Sequence, residues 1–141
     1  MRHRKAKIRL SEKPAHARML CRNLVTSLIL YESVRTTKKR AKVIQPMIDR
    51  IINAAKKNQI HTAIRYINRT VTDENASRKI MEVLKERFRN LSSGLTVVSP
   101  AGARKGDGAE LVDISLADGE EIKPQPAKEK SSVKPSKKAK Q

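Results

Sequence analysis

From Ile44 to Ala55 the apolar side chains Ile44, Met47, Ile48, Ile51, Ile52 and Ala55 recur at alternating short intervals. That spacing gathers them on one stripe of a helix and would scatter them over both faces of a strand. The middle of the chain is therefore expected to be an amphipathic helix, capped by Thr36 or Thr37, whose stripe other elements must cover. Pro46 falls inside it and removes a backbone donor, so it is expected to kink the helix or mark its true start.

The cover is sought in the same pattern elsewhere. Ala17, Leu20, Cys21, Leu24, Val25, Leu28 and Tyr31 share the helical period. They predict a helix from Ala15 to about Tyr31, capped by Ser11, with Glu12 and Lys13-Pro14 in the first turn. Ile60, Ala63, Ile64, Ile67 and Val71 suggest a shorter helix. Ala76, Ile80, Val83, Leu84 and Phe88 suggest another, begun by Thr72 or Asp73. The period then changes. Glu32–Thr36, Leu95–Val98 and Glu110–Leu116 are short, β-branched or alternating, and 102–108 reads as a glycine-rich turn between the last two. The expected fold is α+β: a two-layer α/β arrangement of about four helices packed on a small three-stranded sheet.

The ends have little to bury. Residues 1–12 carry Arg2, His3, Arg4, Lys5, Lys7 and Arg9, with Ile8 and Leu10 as the only large aliphatic side chains besides Met1. Such a segment cannot offset its own ordering entropy, so it is expected to be an extended basic arm that settles on a polyanion. The stretch 119–141 is Lys-, Pro- and Ser-rich and is expected to be a disordered tail. Between them, 13–118 is expected to form one domain.

Charge follows the same division. The net charge is +18, from 32 Lys and Arg against 14 Asp and Glu. Residues 1–42 contribute +11, while residues 90–122 carry −4. A surplus this large favours a counter-charged partner. The aromatic residues are Tyr31, Tyr66 and Phe88 alone. Three rings do not make a base-stacking platform, so binding is expected to read phosphate and shape. Arg18 and Arg22 lie one turn apart and mark a cationic stripe beside the first helix's apolar face.

Chemistry beyond binding finds no support. His3, His16 and His61 are widely separated, and the single Cys21 can form neither an internal disulfide nor a zinc site by spacing. It falls on an apolar helix face, as a structural thiol would. Gly102, Gly106 and Gly108 are not followed by the lysine and hydroxyl of a phosphate loop. No catalytic residue, metal, cofactor, small-molecule substrate or membrane span is expected.

A family pattern runs through these residues in order. Met1-Arg2-His3-Arg4-Lys5 is followed by His16 and Arg18, then Arg22-Asn23-Leu24 and Ser27-Leu28-Ile29. Glu32-Ser33-Val34-Arg35-Thr36-Thr37 and Arg40-Ala41-Lys42 come next, then Gly94-Leu95-Thr96 and Arg104-Lys105-Gly106-Asp107-Gly108-Ala109. This succession closely resembles the bacterial large-subunit ribosomal protein L17 family, collinearly from residue 1 to about 116. The family usually reads Gly-Gly-Tyr-Thr-Arg where this chain has Ser93-Gly94-Leu95-Thr96-Val97. The resemblance implies a cytoplasmic structural constituent of the large ribosomal subunit, bound to 23S-type ribosomal RNA beside neighbouring large-subunit proteins.

Charge and resemblance together select Arg2, His3, Arg4, Lys5, Lys7, Arg9, His16, Arg18, Arg22, Asn23, Arg35, Thr36, Thr37, Lys38, Arg40, Lys42, Arg104 and Lys105 as the expected RNA-binding residues. The rival reading is a nucleoid-type architectural DNA-binding protein. Such proteins push arginine-rich ribbons into the minor groove. Here only Arg104-Lys105 occupies the hairpin, which favours RNA.

Overall fold

A computed structural model describes Ile8 and residues 10–117. The expectations for the rest of the 1–12 arm and for the 119–141 tail lie outside these residues. Four helices pack on one face of a three-stranded antiparallel sheet, the α+β architecture expected from the sequence.

Helix α1 (Pro14–Tyr31) starts on its proline, whose missing N–H is one the first turn would not use. Ser11 is not its cap. The residue before the helix is Lys13, which makes no side-chain capping bond, and the Ser11 hydroxyl instead accepts from Lys39 Nζ at 3.0 Å. Strand β1 (Ser33–Thr37) follows directly and leads into α2 (Lys38–Lys57). Thr37 occupies the cap position of α2 without a side-chain bond. The helix runs on through Pro46, which is therefore not its start. Pro46 is exposed, so water can serve the Lys42 carbonyl that a proline leaves without a donor.

Helix α3 (Ile60–Asn68) is short and packs mainly on α2 and α4. Only Ala63 and Ile67 on it are buried, and Val71 just beyond. Ile60 and Ile64, expected inside, are exposed. Helix α4 begins with Glu74–Lys79, where Asp73 Oδ1 accepts the Ala76 N–H at 3.1 Å. It then widens into a π turn (Ile80–Leu84) and closes with Lys85–Arg87. The wider turn brings Ala76, Ile80, Leu84 and Phe88 inward at intervals of four and turns Val83 to solvent, correcting the expectation for that residue.

Strands β2 (Thr96–Ala103) and β3 (Glu110–Leu116) form the hairpin, and the strand order β1-β3-β2 puts β3 in the centre. Pro100 is tolerated because β2 is an edge strand. Pro100 pairs with Val112 and Gly102 with Leu111, so Ala101 is the extra residue of a bulge; Gly102 carries it at φ +92°. On β3, Val112, Ile114 and Leu116 face the helices and join Leu28, Ile29, Ile44, Ile48, Ile52, Leu84 and Phe88 in one core.

One corner ties the layers together. Glu32, between α1 and β1, adopts a left-handed backbone (φ 60°). Its carboxylate meets Lys79 Nζ at 2.7 Å and Arg87 Nη1 at 2.9 Å, and its carbonyl accepts the Leu116 N–H at 3.0 Å. Hydrogen bonds from Arg87 and Lys79 hold the Glu32 carboxyl below its ordinary 4.5. A depressed carboxyl stabilises the fold fully above its unfolded value, and that contribution is lost as pH falls through the folded one. Glu32→Gln should therefore cost about 2 kcal/mol in denaturant unfolding at pH 7, because it leaves two half-buried cations without their anion. The gap between variant and parent should close on titration below the ordinary carboxyl value. A gap that is constant with pH would assign the effect to shape instead.

Candidate nucleic-acid interface

The described cations fall into two groups according to whether a carboxylate already holds them. Arg35 lies directly across from Asp113 in the β1–β3 register and is bonded to it by Nε at 2.8 Å and Nη2 at 2.9 Å. Lys38 Nζ reaches Glu110 Oε2 at 2.7 Å, and Arg104 closes on Asp107 within the hairpin turn. Each pair lowers the carboxyl: Arg35 acts on Asp113, Lys38 on Glu110, and Arg104 on Asp107. Of the two hairpin residues expected to bind RNA, Arg104 is held by Asp107, and Lys105 is exposed without a carboxylate. Exposed pairs of this kind contribute little stability. Their effect is local neutralisation: at these positions an approaching phosphate meets a dipole rather than a full positive charge.

The second group has no carboxylate partner among the described residues. On α1, the start of α2 and the end of α3 it comprises Arg18, Arg22, Lys39, Arg40, Lys42 and Arg69; Lys13, Arg50, Lys56, Lys57, Arg65, Lys85, Arg89 and Lys105 are likewise unpaired elsewhere on the domain. Arg18 Nε donates to the Pro14 carbonyl and Arg22 Nε to the Thr70 carbonyl, both at 3.2 Å. Each guanidinium is thus anchored by one nitrogen while its terminal nitrogens stay available for an outside acceptor. Lys38, Lys39 and Lys42 crowd the first turns of α2, where no acid is present and the helix dipole disfavours cations. An anion supplied from outside would relieve both.

Two hollows connect these groups. The smaller is bordered by Thr37, Lys38, Lys39, Lys42, Ala109 and Glu110. The larger, about 840 Å³, lies between α1, α2 and the α3–α4 connection. Ala17, Cys21, Val43 and Met47 are among its apolar lining residues, and Arg18, Arg22 and Arg69 border it. Ile8 borders both, so the two hollows and the cations around them adjoin on one side of the domain.

The expected residues are not all brought onto that side. His16 and Asn23 are exposed but lie roughly 150° around α1 from Arg18. Thr36 is buried. The two arginines do not flank the apolar arc; they continue it. Val25 and Ile29 lie on the same side of α1, and the first turns simply overhang the core. Arg2, His3, Arg4, Lys5, Lys7 and Arg9 lie outside the described residues. Two contributors were missed. Lys39 belongs to a cation run visible in the sequence, whereas Arg69 is delivered only by the tertiary fold. Burial pushes the Cys21 thiol up, which keeps it protonated. Among the described residues no cluster of three metal-ligating side chains occurs, and no helix is long and apolar enough to cross a membrane.

Residues 20–117 match the model of the ribosomal protein L17 family. The large ribosomal subunit protein bL17 of Hyphomonas neptunium is 34% identical over 121 residues, covering 86% of this chain and 86% of that protein. That of Thermomicrobium roseum is 37% identical over 116 residues, covering 82% and 98%. That of Desulfosudis oleivorans is 35% identical over 116 residues and covers 82% of this chain, but the match spans only 55% of its own, longer sequence.

The division into held and available cations has a measurable consequence. Replacing Arg18, Lys42 and Arg69 together by Gln should flatten the log–log salt dependence of binding to an RNA stem-loop oligonucleotide by about 2, since each lost phosphate contact removes about 0.7–0.9. Replacing Arg35, Lys38 and Arg104 together should change the slope by less than about 1. Equal slopes for the two triple variants would contradict the division.

Proposed function

Because this chain belongs to the ribosomal protein L17 family, we propose that it is a structural constituent of the large ribosomal subunit that binds 23S-type ribosomal RNA through phosphate and shape. In bacteria this places it in the cytoplasm, within the subunit and beside neighbouring large-subunit proteins. Its contribution is to hold RNA segments in place during and after assembly rather than to catalyse a reaction. The observation that carries the reading is the surface of available cations on α1 and the start of α2, with the arm's last described residues beside them.

The surface explains how a protein with few rings can bind RNA firmly. Anchored guanidinium groups lose less freedom on meeting a phosphate than free ones do, and arginine's planar fork suits phosphate oxygens. The arm, residues 1–12, adds charge that has few carboxylates of its own chain to neutralise it. The tail, residues 119–141, is dominated by lysine and is assigned diffuse attraction only. The 13–118 domain is the unit that positions the arm.

Sedimentation of lysate tests the reading against the DNA-binding alternative. The protein should co-migrate with large subunits after DNase treatment and leave that position after RNase treatment. Loss on DNase treatment would favour an architectural DNA-binding protein. A chain ending before Lys123 should still enter subunits; failure to do so would make the tail a principal anchor.

A further inference from the structure

The larger hollow has a composition that phosphate binding alone does not use. Its floor includes Ala17, Val43 and Met47, yet its rim carries Arg18, Arg22 and Arg69. Phosphate oxygens would satisfy the rim and leave an apolar floor wet. At about 840 Å³ it falls within the roughly 300–1,000 Å³ typical of pockets that enclose small-molecule-sized groups.

We propose that this groove receives the base of an unpaired RNA nucleotide, with its flanking phosphates held by Arg18, Arg22 and Arg69. The proposal rests on the RNA-binding reading above and deepens it by naming the form of RNA recognised. A base turned out of its stack presents two flat, weakly polar faces that side chains can cover, and RNA loops and bulges supply such bases. Met47 is half-buried against the core, and its thioether is polarisable and adaptable, so it can cover a base without an aromatic ring. Guanidinium planes can cover the other face.

Charge selects this occupant over an apolar peptide from a neighbouring protein. Of the charged groups bordering the groove, three are arginines and one, Glu12, is an acid. The two α1 arginines are steadied through Nε by the Pro14 and Thr70 carbonyls, which leaves their terminal donors for a ligand that brings negative charge. An apolar peptide would cover the floor but offer those donors only neutral carbonyl oxygens, leaving three positive charges without a counter-charge. Most of the groove's lining side chains are apolar, so the site is selective chiefly for an unpaired nucleotide rather than for one base over another.

Incorporating a diazirine-bearing methionine analogue into the full-length protein tests this while keeping the length and apolar character of the Met47 side chain. Large subunits containing the labelled protein are purified, irradiated and digested, and cross-links from the Met47 peptide are mapped. The expected result is attachment to one or two adjacent unpaired nucleotides, reduced at least fivefold when Arg18 and Arg69 are both replaced by Gln in protein that still co-sediments. Attachment of Met47 to another protein, to base-paired RNA or to nothing would overturn the proposal while leaving the RNA-binding reading in place. Absence of the labelled protein from the subunits would overturn both.

Discussion

Glu32 sits where helix, sheet and helix meet, and the arrangement of the whole domain depends on that corner. The chain reverses there through a left-handed residue, a conformation that costs a non-glycine side chain of order 1–3 kcal/mol. A glycine would remove the strain, but it would also remove the carboxylate that Lys79 and Arg87 require. The same residue's carbonyl closes the end of β3 through Leu116. One side chain and one carbonyl thus fix α1, β1, β3 and α4 relative to one another. With α1 and β1 set, the first turns of α1 must overhang the core, and the groove beside α2 follows from that overhang.

The few acids of a strongly basic chain act as selectors. Asp113, Glu110 and Asp107 quench Arg35, Lys38 and Arg104 on the sheet and its hairpin. No carboxylate is paired with Arg18 or Arg22 among the described residues, and Lys42 makes no salt bridge although its charge also lowers the Glu110 carboxyl. Net charge favours a polyanionic partner, and the placement of these acids neutralises cations of the sheet and its hairpin while leaving those of α1 and the start of α2 available to it. Long-range attraction and local geometry therefore act on the same side of the molecule, where the basic arm also begins.

Most of the fold was legible in the sequence because it rests on regular periods. The apolar stripe of α2, the inward face of α1 and the bounds of β3 follow from spacing alone. Val83 was misplaced because a π turn breaks the 3.6-residue period without any local signal that a single sequence displays. Ile60 and Ile64 were misplaced because α3 buries only a narrow line of side chains, and the pattern alone does not report how wide the contact is. The candidate surface was legible by region rather than by residue. Neutralisation of Arg35 by Asp113 depends on strand register across 78 positions, and Arg69 reaches the groove only through the fold. Arg104 with Asp107, three apart in a turn, was within reach of local reasoning.

The central claim is that the side of the domain bearing the start of α2 meets RNA while the far ends of α2 and α4 do not. Differential lysine acetylation, read by mass spectrometry in free protein and in intact large subunits, measures this directly. Lys39 and Lys42 should lose reactivity on incorporation, and Lys57 and Lys85 should retain it. Lys56, which donates to the Phe88 and Leu91 carbonyls, should react poorly in both states. Protection of Lys57 and Lys85 with Lys39 and Lys42 still reactive would contradict the account and place the RNA on the opposite end of the domain.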